Sequence, residues 1–410
     1  MNKNILFNKT GLLAIFFSMT MVACNKDVDS PVPNDKPVYP KGPTIASIIN
    51  GPNYTILKAA VTRAATSAAR PTVASLLSDS SLTFTLFAPD DDAFLASGIN
   101  ATVINVLPAE SLHNILLYHI LPQAVPASRL AGAPFPNLQY PSLLNPAPTL
   151  SSLLRLTTFL KATSNGAWIN NIPIVKPDSI LANGIVHKVA RVVMPPSKNL
   201  WETINTETDL TYLKAAVQRA DSGVVAASTL QAALQNIGLN ATVFAPTDNA
   251  FKAFITSALL SRGVPQPTID FLLATFGTTL ISNPGAVPGL GPTLASVISP
   301  TNVRGIVVYH VLSSQSGSFA PPGVRVFSVN LPTSATAVKT LLNSVVSVHP
   351  GVIVSAAFTG PFVTAATVKG AVNPTAANVI ISAPPTMTHD MHHTNGVIHK
   401  IDQVLIPIPL

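Results

Sequence analysis

Apolar residues recur along this chain in a few short, strongly patterned blocks. Tyr54, Leu57, Val61 and Ala64 fall three or four positions apart, as do Leu210, Leu213, Val217 and Ala220, and each set predicts an amphipathic helix. Asn53 and Asp209 stand just ahead of these sets, where a side-chain oxygen would cap the free helix amides. Residues 83–87, and a counterpart ending at Phe244, have the β-branched and aromatic composition of a buried strand, which a proline then ends. Residues 115–121 and 306–312 read as apolar, strand-like runs holding a Tyr-His pair. Residues 185–194 and 397–406 follow Asn-Gly and run β-rich to a proline, which predicts a hairpin closing on a final strand.

These blocks come in pairs. Leu57 to Val61 (Leu-Lys-Ala-Ala-Val) recurs from Leu213 at an offset of 156, and Phe87-Ala88-Pro89 with Asp91, Ala93 and Phe94 recurs as Phe244-Ala245-Pro246 with Asp248, Ala250 and Phe251 at 157. Tyr118-His119 returns as Tyr309-His310 at 191, and Asn183-Gly184 with His187 and Lys188 returns as Asn395-Gly396 with His399 and Lys400 at 212. Four blocks in one order indicate an internal duplication. The growing offset adds 34 residues to the second copy between its Phe-Ala-Pro and Tyr-His blocks and 21 more before its Asn-Gly. One copy spans 44–197 and the other 198–410, with insertions near 255–300 and before 395. Inserted loops on a shared scaffold are the expected seat of specificity.

The chain starts differently. Lys3 and Lys9 precede a 13-residue apolar run, 11–23, too short for a confident membrane span and apt for a signal peptide. Met21-Val22-Ala23-Cys24 resembles the lipobox of bacterial lipoproteins, in which the cysteine is acylated. Cys24 is the only cysteine, so no disulfide framework competes for that reading. Asn25-Lys26-Asp27-Val28-Asp29 resembles the surface-export signal of Bacteroidota lipoproteins. Residues 24–43, polar and rich in proline, read as a flexible tether. The expectation is a surface-exposed lipoprotein of the outer membrane, held in the membrane through its N-terminal lipid.

Composition narrows the function. Without Lys3 and Lys9 the chain has 22 basic and 17 acidic residues, a formal charge of +5. No Lys/Arg block alternates with aromatics, so a nucleic-acid partner is not expected. No nucleophile elbow, phosphate loop, dinucleotide fingerprint or zinc-protease pattern occurs, and the expectation is a non-catalytic protein without a cofactor. Asp90-Asp91-Asp92 is open to two readings, a cation site or a helix cap. The second copy replaces it by Thr247-Asp248-Asn249, which favours the cap. The Tyr118-His119 and Tyr309-His310 pairs read as buried packing residues with hydrogen-bonded rings, or else as general bases. His389, His392 and His393 crowd into five positions, either as a flexible loop able to hold copper, zinc or haem, or as a polar surface loop.

Phe-Ala-Pro-x-Asp-x-Ala-Phe, then Tyr-His, then Asn-Gly-(Val/Ile)-(Val/Ile)-His resembles the motif set of fasciclin-like (FAS1) domains, in both copies. The resemblance implies an α+β fold, a β-wedge or sandwich with helices packed at one side, and a role in cell-surface adhesion. It marks Asp91, Tyr118, His119, His187, Asp248, Tyr309, His310, His399 and Asp402 as family-motif residues with structural roles. The family's terminal Asp is kept at Asp402, whereas the first copy has Ala190. The Asp-Ile pair linked to integrin binding in animal members is interrupted here as Asp178-Ser179-Ile180, a triplet that also resembles an O-glycosylation acceptor. Expected partners are a cell-surface or matrix glycan or protein, with glycan capture beside an outer-membrane transporter as the alternative.

Overall fold

The computed structural model describes residues 39–409 other than 70, 134, 290–294, 296–297, 313–324 and 383–386; Cys24 and the signal segment lie outside the described residues. The described chain divides into two compact units, residues 39–196 with Thr359–Phe362, and residues 197–358 with the chain from Val363 onward. Both mix helices and strands, the α+β class expected.

In the first unit the helices are α1 (Thr55–Ala64), α2 (Val73–Ser78), α3 (Asp91–Ala96), α4 (Ala101–Val106), α5 (Ala109–Tyr118) and α6 (Ala127–Leu130). The strands are β1 (Phe84–Pro89), β2 (Ile120–Leu121), β3 (Leu138–Pro141), β4 (Thr157–Thr163), β5 (Gly166–Ile169), β6 (Ile172–Leu181) and β7 (Gly184–Val189). They form one sheet in the order β2-β1-β7-β6-β5-β4-β3. Strand β1 runs parallel to the last strand, β7, with Phe84 opposite Gly184 and Pro89 opposite Val189. Every residue of β1 is buried, as expected of a strand covered on both faces. Phe84, Leu86 and Ala88 face a helical core with Leu57, Val61, Ile104 and Leu112. Phe87 points the other way, into a second core with Tyr118, Leu160, Ile169 and Val189.

The second unit repeats this plan. Its helices are α7 (Leu200–Thr206), α8 (Thr211–Ala220), α9 (Leu230–Gln235), α10 (Asp248–Leu260), α11 (Gln266–Phe276), α12 (Thr279–Ser282) and α13 (Pro300–Tyr309). Its strands are β8 (Ala241–Pro246), β9 (Thr336–Val338), β10 (Val352–Thr359), β11 (Phe362–Lys369), β12 (Ala377–Asn378), β13 (Met391–His393) and β14 (Gly396–Ile401). Strand β8 lies parallel to β14, which pairs with β13, and β9 to β12 form a separate four-stranded sheet. The glycine of each Asn-Gly is required for this parallel pairing. A Cβ on Gly184 would collide with the Phe84 carbonyl, and one on Gly396 with the Ala241 carbonyl.

Two expectations fail here. The Tyr-His pairs do not lie in strands: Tyr118 and Tyr309 are the last residues of α5 and α13, and His119 and His310 are the C-caps, with Ile120–Leu121 alone forming the strand that follows in the first unit. The β-branched run Ile306-Val307-Val308 is held helical because Val303, Ile306 and Val307 are buried on that helix, so packing overrides local preference. The first inserted stretch is also no surface loop. It lengthens α10 to thirteen residues against six in α3, adds α11 and α12, and buries Ile255, Leu259, Ile269, Leu280 and Ile281. Its removal would open the core.

Candidate functional site

Most of the recurring polar residues form matching contacts in the two units. Asp91 is the first residue of α3, yet its carboxylate caps a different helix. Its oxygens accept the backbone amides of Thr55 (3.2 Å) and Ile56 (2.8 Å) at the start of α1, and Asp91 N donates to the Asn53 carbonyl. Asp248 does the same for α8, accepting from Tyr212 N at 2.9 Å and Thr211 Oγ1 at 2.6 Å, while its own amide donates to the Asp209 carbonyl. The cap therefore comes from across the fold. Asn53 and Asp209 contribute their carbonyls, and neither side chain caps the helix that follows it. The bonds from Ile56 and Thr55 outweigh the desolvation of Asp91 and hold its carboxyl below the usual range. Asp90 and Thr247 cap their own helices, accepting from Ala93 N and Ala250 N. The acidic triplet is thus a pair of helix caps.

The Tyr-His pairs are equally committed. Tyr118 Oη donates to the Thr157 carbonyl and Tyr309 Oη to that of Gly351. His119 Nδ1 donates to Ile115 O at 2.7 Å and Nε2 accepts Val193 N at 2.9 Å; His310 uses Ile306 O and Leu405 N in the same way. Burial drives both imidazoles down to about 4, only partly opposed by the carbonyl bond, so both rings are neutral at physiological pH. Neither reaches solvent, and a general-base role has no approach for substrate.

His187 and His399 tie the last strand to the loop after β2 or its counterpart. His187 Nε2 donates to Val125 O and Nδ1 accepts Asp178 N; His399 Nε2 donates to Val326 O and Nδ1 accepts Asp390 N. Asp178 and Asp390 both adopt left-handed backbone, at φ 57° and 52°. Their carboxylates accept Ala127 N and Ser328 N, at the start of α6 and of the matching short helix Ser328–Asn330. Burial lowers both histidines.

This correspondence relocates the histidine-rich segment. Met391, His392 and His393 pair with Ile398, Val397 and Gly396 as Ser179, Ile180 and Leu181 pair with Val186, Ile185 and Gly184. The segment is thus the common hairpin strand β13, not an inserted loop, and the 21-residue excess lies wholly upstream of Asp390. His392 Nε2 accepts a bond from Arg325 Nη1 at 3.0 Å and its ring stands edge-on to Phe327. The same guanidinium donates to the carbonyls of His393 and Thr394 and to Asn240 Oδ1. Burial, then the charge of Arg325, drives His393 down to about 4 and holds His392 well below the ordinary imidazole value. His389 lies 3.8 Å from Asp390. Among the described residues no three His, Cys, Asp or Glu side chains converge in an arrangement that could hold a metal ion.

Three roles were not legible beforehand. Asn183 and Asn395 are more than turn residues: each is buried, accepting from Ile45 N or Leu200 N and donating to the carbonyls of Leu77 and Asp79 or of Leu234 and Asn236. Lys188 pairs with Asp90, whereas Lys400 reaches Glu207 (2.6 Å) and Asp209 (2.7 Å). Asp402 bonds Asn378, from its N to Oδ1 and its Nδ2 to Oδ2, both at 2.7 Å.

The second unit also holds an open groove of about 410 Å³ along α10, between Ala250 to Arg262 on one wall and Val372 to Pro374 with the segment from Asp402 on the other. The short α3 of the first unit ends before it could form the equivalent wall. No helix among the described residues is long and apolar enough to cross a membrane.

Comparison with known proteins finds likenesses over part of the chain. The model of the fasciclin domain matches residues 54–195. A protein of Synechocystis, sll1483, is 27% identical over 115 residues, covering 28% of this chain and 56% of that protein. The transforming growth factor-beta-induced protein ig-h3 of Oryctolagus cuniculus is 28% identical over 196 residues, 46% of this chain and 25% of that protein. The chain thus spans about half the length of the first relative and a quarter of the second. A solved FAS1 domain pair from the insect cell adhesion molecule fasciclin I aligns over 87% of this chain and 97% of its own, at 15% identity and a TM-score of 0.32.

Proposed function

The chain belongs to the fasciclin-like family, and we propose that it is a non-catalytic binding protein of the cell surface, two FAS1 modules on a lipid tether, that adheres to a glycan or protein of a neighbouring surface or matrix. One observation carries this reading. The polar residues that recur in both copies are spent on internal bonds, Asp91 and Asp248 on helix amides and the Tyr-His pairs and His187 and His399 on backbone groups. That set supplies no poised acid, base or nucleophile to a substrate, so recognition falls to exposed surface. The inserted helices offer such surface: Leu260 at the end of α10 and Phe271 on α11 are 46% and 62% exposed. Exposed aromatic and aliphatic side chains are the usual anchors of protein interfaces.

Membership of a family found in adhesion proteins supports the same direction. The lipobox at Cys24 supports attachment to the envelope, and two modules on one tether would gain avidity from weak single contacts. The test is saturable binding of the full chain to glycan arrays and to immobilised matrix or cell-surface protein. Binding to a defined glycan or protein supports the proposal; uniform absence across all surfaces sinks it.

A further inference from the structure

The groove along α10 is an addition of the second unit, and its chemistry is specific enough to name an occupant. Its floor is one face of the helix: Ala250, Ala253, Phe254, Ser257, Ala258 and Ser261 recur at spacings of three and four. The facing wall offers apolar carbon from Val372, Pro374, Val404, Ile406 and Pro409. Its polar groups are largely committed to the fold. Asn373 donates to Val404 O and accepts Ile406 N, Asp402 is bonded by Asn378 through both oxygens, and Gln403 bonds Thr375 and Ala376.

The two ends differ in charge. The bond from Thr247 N to Ile401 O fixes Asp402 beside the N-terminal end of α10. Arg262 lies beyond the other end, about 18 Å from Ala250 at the rise of a helix. Arg262 Nη1 bonds Ala258 O and Ser261 Oγ, which leaves Nε and Nη2 without a partner among the described residues. A long apolar slot thus ends in one available guanidinium, with a carboxylate at the opposite end. Behind its floor lies a small apolar cavity of about 20 Å³, lined by Phe251, Ile281, Ile298 and Ile306; Phe254 lines both spaces and is the wall they share.

We infer that this groove binds a single-chain anionic amphiphile, an acyl chain along α10 with its carboxylate or phosphate head on Arg262. The apolar lining with a single guanidinium at one end favours this over a docked peptide. An extended peptide fares worse than an acyl chain, because its amides would face carbon and polar groups already bonded, and each unsatisfied pair costs free energy. An acyl chain has no such need. Asp402 sets the direction by repelling an anionic head from its own end. This assignment does not depend on the adhesion reading: it concerns a small ligand held within the groove, and either can fail alone.

The test uses the full chain and three probes of equal tail length, dodecanoate, dodecanol and dodecylammonium, titrated below micelle formation by calorimetry. The expected result is one saturable dodecanoate site. Ala253→Trp, at an exposed position that should leave the thermal midpoint unchanged, weakens it by about tenfold or more by filling the floor. Arg262→Gln weakens dodecanoate by about tenfold, the loss of one charge-assisted bond, and leaves dodecanol unchanged. A head-group phosphate in place of the carboxylate, tested as dodecyl phosphate, should behave as dodecanoate does. Absence of saturable binding, dodecanoate binding unmoved by Ala253→Trp, or dodecylammonium binding as tightly as dodecanoate would each overturn the assignment.

Discussion

Asn395→Ala is the sharpest probe of how the recurring blocks work. Asn395 is fully buried; its Oδ1 accepts Leu200 N at 2.9 Å, and its Nδ2 donates to Leu234 O at 2.8 Å and Asn236 O at 3.0 Å. One side chain thereby joins the start of α7 to the end of α9 beside the final hairpin. Truncation removes three bonds, each worth about 0.5–1.5 kcal/mol net, and strands three backbone groups, for a total loss of about 3–4 kcal/mol. That is a large share of the roughly 5–15 kcal/mol that holds a domain folded. The chain has two tryptophans, Trp168 in the first unit and Trp201 on α7 in the second, both buried. In a Trp168→Phe background, Trp201 fluorescence follows the second unit alone, which avoids treating a two-unit chain as one transition. The urea midpoint should fall by about 1–3 M with an unchanged slope. A loss below about 1 kcal/mol would refute the reasoning, since the Asn-Gly would then be only a turn.

Other consequences follow from the same contacts. His119 and His310 sit at about 4 when folded against 6.5 when exposed, so the unfolded chain binds more protons between those values and stability falls as pH drops. Each should cost its unit about 2 kcal/mol between pH 7 and pH 5, read as a lowered urea midpoint, and His310→Gln should flatten that slope for the second unit. Asp248→Ala should destabilise the second unit by about 1–2 kcal/mol, the loss of a helix cap, while Asn53→Ala, at an exposed position that contributes only its carbonyl, should leave the start of α1 capped by Asp91 and the melt of the first unit unchanged. Cys24→Ser should move the protein from the membrane fraction to the soluble one, measured by fractionation and by loss of incorporated labelled fatty acid.

The duplication and the α+β class were legible because they rest on short-range pattern: helical spacing around Leu57 and Leu213, and compact strands before Pro89 and Pro246. The family motif was legible for the same reason. The roles within it were less so. Asp91 sits where a cap for its own helix belongs, and only the packing of α3 against α1 turns its carboxylate toward Thr55 and Ile56. The run 306–312 is β-branched and its local preference is for a strand, so the helix becomes visible only with its buried face. His389, His392 and His393 looked like an insertion because length excess alone does not say where it falls. The shared bonds from Asp178 and Asp390 to His187 and His399 do. The groove depended on bringing Ala250 to Arg262 against residues more than a hundred positions away, which no local pattern encodes.

The central claim is that the shared blocks build the fold and that recognition lies on the exposed face of what the second copy adds. The measurement that tests it most directly is the binding isotherm of the full chain carrying Leu260→Asp and Phe271→Asp, on whichever glycan or protein surface the unaltered chain binds. The account predicts a loss of about tenfold or more in affinity, as expected for exposed anchor residues, with an unchanged urea midpoint for the second unit. Unchanged affinity in that variant, with binding abolished instead by a substitution in the first unit, would contradict it.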